Sequence, residues 1–297
     1  MNRHQPQFNW PEIRDDDPRL YLSQSEKQAA EPAWISGFFA DVKRQPQADA
    51  GLDTQLLHGE NVLKVETGNG WAKIQARRNG YVGWILEDVL GEGERSPSHH
   101  VSVPRTFLYP GPDMKLPRSG YRSLGSGAVV VGKAETRGTR YAILDSGEAI
   151  IEDHLVAVGN HAEDYVSVAE TLLRTPYLWG GSTAFGIDCS GLVSLAMQMA
   201  GIDVLRDSDM QAATIGEPVA IDPDWSNLWR GDLVFWRGHV AIAQGEIGGL
   251  QHLLHANGHT MDVTSEPADE AVRRIAHLYE TPIGVRRPAS LGKVASS

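Results

Sequence analysis

Thr175-Pro176-Tyr177-Leu178-Trp179-Gly180-Gly181-Ser182-Thr183-Ala184-Phe185-Gly186-Ile187-Asp188-Cys189-Ser190-Gly191-Leu192-Val193 is the stretch on which the reading of this chain turns. Pro176 ends whatever helix precedes it, and Gly180-Gly181 with Gly186 allow a loop that folds back tightly. Asp188 stands where an N-cap belongs, immediately before the apolar face of a helix. Cys189 then falls in the first turn of that helix. Unpaired backbone N–H groups and the helix dipole there favour a thiolate, and the Cys189 N–H is free to donate to a developing oxyanion. An isolated buried cysteine is more often a small hydrophobe. The glycine loop ahead of it is what shifts the reading to a nucleophile.

A thiol nucleophile needs a proton-transfer partner, and that partner needs an orienter. The chain has 11 histidines. Two sit in fitting strand contexts: His239 opens a strand after Gly231-Asp232-Leu233-Val234-Phe235-Trp236-Arg237-Gly238, and His255 lies in Leu253-Leu254-His255-Ala256-Asn257. Adjacent antiparallel strands would bring the two imidazoles together, with His255 holding the His239 ring in the useful tautomer. His252, His255 and His259 do not read as a metal site, since His252 and His255 point to opposite faces of an extended strand and no HExxH pattern is present. His99-His100 reads as a solvated pair in a polar linker.

Around this centre the chain divides by periodicity. Residues 1–34 are polar and acidic and read as an N-terminal tail, with at most one short helix. Residues 35–92 carry short β-type runs at Ala40–Val42, Thr54–Leu57, Asn61–Val65, Trp71–Ile74 and Tyr81–Ile85, separated by glycine-bearing turns, as in a small antiparallel barrel. Residues 96–159 repeat that texture in a second barrel, with apolar runs at Val129–Val131, Tyr141–Leu144 and Ala149–Ile151. Residues 160–290 turn helical over His161–Arg174 and Ser190–Ala200, then give strand candidates at Asp232–Trp236, His239–Gln244, Leu253–Ala256 and Ile283–Arg286. Helices followed by an antiparallel sheet define an α+β domain.

Bulk properties narrow the function. The 297 residues hold 27 Lys and Arg against 38 Asp and Glu, a formal charge of −11, which argues against nucleic acid as the partner. One cysteine leaves no internal disulfide and no Cys-rich metal centre, and acyl transfer on a thiol needs no cofactor, so none is expected. No apolar run approaches the roughly 18 residues of a membrane span. The first residues lack the apolar core of a secretory signal, so the expected location is cytoplasmic.

The run Pro176–Gly181, then Asp188–Val193, then Gly231–Phe235 with His239-Val240, then Leu254–Ala256 resembles the NlpC/P60 cysteine peptidases. The resemblance covers about 130 residues and implies a papain-like core with Cys189 as nucleophile, His239 as base and His255 as the orienting third residue. It implies that Tyr177 assists the oxyanion, where packing on the glycine loop is the alternative. Thr54–Val62, Gly70-Trp71 and Gly80–Trp84 look like a bacterial SH3-type domain. Two such barrels ahead of the peptidase resemble the γ-D-glutamyl-L-diamino acid endopeptidases of the dipeptidyl-peptidase VI type.

The substrate this implies is a murein stem peptide, L-Ala-γ-D-Glu-diamino acid with a free N-terminus. Its amine would need a clamp and a wall. Glu60 and Tyr81 are candidates by resemblance, against a turn carboxylate and a core tyrosine. Asp207 and Ser208, in Arg206-Asp207-Ser208-Asp209, would line the pocket, against a role as a helix cap. Trp179, Asp188 and Ser190 join them as substrate-binding candidates. Two other functions stay open: a non-catalytic cell-wall peptide binding protein, and an amidase or acyltransferase on the same fold.

Overall fold

The computed structural model describes residues 10–222 and 224–289, so residues 1–9 of the expected tail and Ser290 lie outside it. A capped helix, α1 (Gln24–Ala29), precedes a seven-stranded antiparallel barrel sheet. Its strands are β1 (Glu31–Ile35), β2 (Phe39–Lys43), β3 (Leu52–Leu57), β4 (Asn61–Gly68), β5 (Trp71–Ala76), β6 (Val82–Leu86) and β7 (Leu90–Glu92). Alternation sets the inward face: Ala72, Ile74 and Ala76 of β5 are buried, and the residues between them are not. Asn69 and Gly70, both at positive φ, make the two-residue turn that puts Gly68 opposite Trp71. The barrel begins earlier than the sequence suggests. Glu31–Trp34 belong to β1, whose pairing with both β4 and β7 places them inside the sheet rather than in a tail.

Eight short strands form the second barrel: β8 (His99–Val101), β9 (Arg105–Leu108), β10 (Gly120–Ser123), β11 (Gly127–Ala128), β12 (Val130–Thr136), β13 (Thr139–Leu144), β14 (Ala149–Ile151) and β15 (Leu155–Ala157). His99 and His100 are not a solvated linker pair. They lie in β8 between β11 and β15, and the His100 ring bonds to the Gly125 carbonyl.

The C-terminal domain contains α2 (Tyr165–Glu170), a small hairpin β16 (Ser182–Thr183) and β17 (Gly186–Ile187), α3 (Cys189–Met199), α4 (Ser208–Thr214), β18 (Glu217–Val219), β19 (Leu233–Trp236), β20 (His239–Ile247), β21 (Leu250–Asn257), β22 (Asp262–Pro267), α5 (Ala268–Leu278) and β23 (Gly284–Arg287). Its antiparallel sheet runs β18-β23-β19-β20-β21-β22. Leu233 and Phe235 pack with α3 on one face, while Val234 and Trp236 pack with α5 on the other. Both faces of the sheet are covered, and that is why Leu233–Trp236 reads as an unbroken apolar run instead of an alternation.

The helix expected over His161–Arg174 is shorter. Asp164 caps α2 by accepting from the N–H groups of Val166 and Ser167. Upstream of it, the Ala162 N–H bonds to Met199 at the end of α3, so that segment follows α3 instead of helix geometry.

The domains share cores. Leu57 of the first barrel and Leu124 of the second pack with α3, and Met210 of α4 inserts into the first barrel.

Candidate active site

Asp188 caps α3 as expected, its Oδ1 accepting from the Gly191 N–H at 2.7 Å. The helix start is pressed against the glycine loop, and glycine is required there. A Cβ on Gly191 would stand 2.2 Å from the Gly181 carbonyl oxygen. Gly180 has φ +75°, and its Cβ would meet the backbone of Leu52 in the first barrel at 2.6 Å. The loop is therefore wedged between the first barrel and the start of α3.

Beneath it lies Arg206, fully buried. It donates to Thr54 Oγ1 of β3 at 2.7 Å, to Ser190 Oγ at 2.7 Å, to the Gly181 carbonyl at 3.1 Å and to Asp188 Oδ2 at 2.8 Å. One guanidinium thus ties the first barrel, the glycine loop and the first turn of α3 together. Removing it would strand a buried carboxylate, so Arg206→Ala is expected to destabilise the fold by about 3–5 kcal/mol. Equilibrium denaturation checks this, with Arg206→Met/Asp188→Asn expected to recover much of the loss.

Cys189 is buried at the base of a cavity of about 600 Å³ that also reaches Tyr81 and Asp207. Burial pushes its thiol up to about 12, and the Asp188 carboxylate adds to this. Hydrogen bonds from the backbone of Val240 and Ser190 oppose it without winning. The resting group is a thiol, not the thiolate expected from its place on the helix: loss of solvation outweighs the helix terminus.

Val240, which meets the sulfur, follows His239. Burial holds His239 well below its ordinary 6.5, reinforced by His255 and by the charge of Arg274. The register Ile242↔Leu254 carries His255 onto the same face as His239, and the rings meet with Nε2 of His239 2.8 Å from Nδ1 of His255. His255 Nε2 is 2.7 Å from Glu266 Oε1 on β22, and Arg274 of α5 pairs with the same oxygen.

Burial works to raise the Glu266 carboxyl, but the hydrogen bonds to His255 and Arg274 and the charge of Arg274 outweigh it and hold it below its usual range. An ionised Glu266 only accepts, so His255 Nε2 carries its proton and His255 Nδ1 is the acceptor. His239 Nε2 therefore donates, which leaves the lone pair on its Nδ1. The chain Arg274–Glu266–His255–His239 thus fixes one tautomer of the imidazole. Sequence reading did not find Glu266. A signal existed: His255 pairs with Thr264, which makes Glu266 a diagonal neighbour on the same face.

The other expected residues divide. Tyr177, Trp179, Asp188, Ser190, Asp207, Ser208 and Tyr81 all line the cavity with Cys189. Tyr81 donates to Asp207 Oδ2 at 3.2 Å, and burial, the largest cause, raises the carboxyl of Asp207 against the pull of Arg206 and Arg19. Trp179 is 68% exposed and stands at the rim. Asp188 accepts four bonds, from Gly180, Ser190, Gly191 and Arg206, so its charge is already engaged by the protein.

Glu60 does not line the cavity. It follows β3, pairs with Arg78 at 3.3 Å and meets Gln198 in the last turn of α3. The opposite end of that helix carries Cys189, so Glu60 is a domain-interface carboxylate rather than a wall. In its place the first barrel contributes Arg44 and Asp53, an ion pair at 2.6 Å, on the cavity lining. His252 bonds to the Ser265 hydroxyl, and among the described residues no cluster of His, Cys, Asp or Glu is arranged to hold a metal ion.

A thiol at a helix start, its sulfur met by the backbone of Val240, and a tautomer-fixed imidazole at the preceding residue of the same strand are the parts of a cysteine hydrolase. Comparison with known proteins agrees. Residues 174–276 match the NlpC/P60 family, and residues 42–90 match the bacterial dipeptidyl-peptidase Sh3 domain. Dipeptidyl-peptidase 6 of Lysinibacillus sphaericus is 26% identical over 234 residues, 72% of this chain and 84% of that protein. Gamma-D-glutamyl-L-lysine dipeptidyl-peptidase of Bacillus subtilis is 26% identical over 245 residues, 77% of each chain. The crystal structure of an NlpC/P60 family protein from Bacillus cereus shares the fold, with a TM-score of 0.68 and 22% identity over 86% of this chain and 99% of that one. The C-terminal domain is an NlpC/P60 domain, and the chain is a peptidase with an SH3 domain at residues 42–90 ahead of it.

Proposed function

We propose that the protein hydrolyses the bond between γ-linked D-Glu and the following diamino acid in murein stem peptides that begin with a free L-Ala. The observation that carries this reading is the single cavity joining Cys189 to Tyr81 and Asp207. A nucleophile at one end and an anionic clamp at the other suit a short peptide with a positive amino terminus. The name of the Bacillus subtilis relative, a gamma-D-glutamyl-L-lysine dipeptidyl-peptidase, supports the bond chosen, and that of the Lysinibacillus relative supports release of a dipeptide.

In the mechanism, His239 Nδ1 takes the thiol proton as the sulfur attacks the γ-carbonyl of D-Glu. The tetrahedral oxyanion is held by the Cys189 N–H and Tyr177. Collapse breaks the C–N bond, and His239 returns the proton to the leaving amine. Water, deprotonated by His239, then splits the thioester and releases L-Ala-γ-D-Glu. Glu266 and His255 keep the His239 ring in the orientation both steps use.

Because thiol and imidazole rest neutral, the base works until pH falls through the lowered pKa of His239. Protonated His239 cannot accept the thiol proton, so activity is lost on the acid side. The acid limb of kcat/KM is expected to have its midpoint below pH 6.5, and a pH–rate profile checks it.

The substrate is tested by incubating the enzyme with L-Ala-γ-D-Glu-diaminopimelate and its N-acetylated form and reading products by mass spectrometry. Rapid release of the dipeptide from the free form alone is expected. Equal cleavage of both forms removes the clamp. Release of ammonia or acyl transfer without peptide cleavage replaces the peptidase with an amidase or acyltransferase.

A further inference from the structure

Ahead of α1, the chain runs as an arm across both the peptidase domain and the first barrel. Trp10 sets its ring edge-on to Phe235 at 6.2 Å and lies under the Arg286 guanidinium at 4.1 Å. Ile13 and Leu20 pack on the core of the barrel. The Arg19 carbonyl accepts from the Val82 N–H at 2.7 Å, and the Leu20 carbonyl accepts from Gln75 Nε2 at 3.0 Å. These anchors fix the backbone on both sides of Arg19, whose side chain lines the cavity.

There the guanidinium meets three carboxylates. Nε donates to Asp17 Oδ1 at 3.0 Å, and Nη2 to Asp17 Oδ2 at 2.7 Å and Asp209 Oδ2 at 2.8 Å. Nη1 donates to Asp209 Oδ1 at 3.0 Å and Asp207 Oδ2 at 2.9 Å. All five N–H groups of the arginine are used. Arg19 has no donor left for a substrate carboxylate, so its effect on a substrate passes through the acids it holds. Three carboxylates and one guanidinium carry a formal −2, which still attracts a cation. Asp207 Oδ2 takes the bonds from Arg19 and Tyr81, while its Oδ1 accepts no hydrogen bond among the described residues.

We propose that Arg19 is a positioning residue for amine recognition: the N-terminal arm brings it into the cavity, where it locks Asp207 and Asp209 into an anionic clamp for the free α-ammonium of a peptide substrate. This rests on the free-amine reading above. It adds a specificity element from outside both segments that match family models, 42–90 and 174–276. Without the guanidinium, the acids repel one another, and burial favours the protonated form of Asp207. Either response removes negative charge from the place where the ammonium binds. Lysine, with three donors and no planar fork, cannot bridge the set as arginine does.

The test is steady-state kinetics of the full chain and its Arg19→Ala and Arg19→Lys variants. The substrates are L-Ala-γ-D-Glu-diaminopimelate and its N-acetylated form. For Arg19→Ala, the ratio of kcat/KM between free and blocked peptides is expected to fall by about tenfold or more, the loss carried by KM. Arg19→Lys is expected to lie between the two. Thermal unfolding and the alkylation rate of Cys189 show whether each variant keeps its fold.

A free-to-blocked ratio that stays at the wild-type value overturns the proposal. So does an equal loss on both peptides, which marks the arm as scaffold. A wild-type enzyme with no preference for the free amine overturns instead the reading beneath it.

Discussion

Cys189→Ala is expected to lower kcat for cleavage of L-Ala-γ-D-Glu-diaminopimelate on the order of 10⁶-fold, the scale on which loss of a nucleophile acts in acyl transfer. The substitution removes one sulfur from a buried site in the first turn of α3 and leaves the helix, its Asp188 cap and the cavity walls in place. The proposed clamp at the far end does not involve the sulfur, so the variant is expected to bind the peptide with a Kd close to the wild-type KM. Calorimetry on the variant, beside the activity assay, separates the two effects. Loss of turnover with retained binding is the expected pair. Retained turnover means that another group attacks the peptide.

The second large effect is expected at His255. Its ring sits between His239 and Glu266, 2.8 Å from one and 2.7 Å from the other. His255→Ala removes the acceptor that holds the His239 Nε2–H and cuts Glu266 off from the relay. His239 is then free to rotate or to present the wrong tautomer to the thiol. Loss of the orienting group in an analogous serine triad lowers kcat by about 10⁴-fold, and a loss on that scale is expected here, with KM little altered. A drop of less than about tenfold would mean that packing against Trp236, whose ring lies 5.5 Å from that of His239, is enough to orient the base.

Much of this centre is legible in the chain because it is local. The proline, the glycines, Asp188 and Cys189 act within one loop and one helix start, where backbone rules decide the outcome. The pairing of His239 with His255 follows from two adjacent strands. The barrel strands are legible for the same reason, since Asn69-Gly70 and the alternation of β5 are short-range signals.

What stayed hidden depends on long-range closure. Arg19 meets Asp207 across 188 residues, and no spacing rule connects them. Glu60 resembles a site residue by its place in a motif, yet the docking of the barrel on α3 turns it toward Gln198 and Arg78. Residues Ala268–Leu278 form an amphipathic helix of modest apolar content, and its role appears only once Ala271 and Ile275 are seen closing the second face of the sheet. The state of the thiol is hidden for a related reason: a sequence shows the helix terminus but not the depth of burial.

The central claim is a thioester on Cys189 carrying the L-Ala-γ-D-Glu acyl group, and trapping it is the most direct test. The enzyme would be mixed with L-Ala-γ-D-Glu-diaminopimelate, quenched in acid during turnover, digested, and read by peptide mass spectrometry. The predicted result is a dipeptidyl adduct on the fragment that contains Cys189, released by hydroxylamine and absent in Cys189→Ala. Turnover with the adduct on another residue would contradict the account, as would cleavage that survives in the variant.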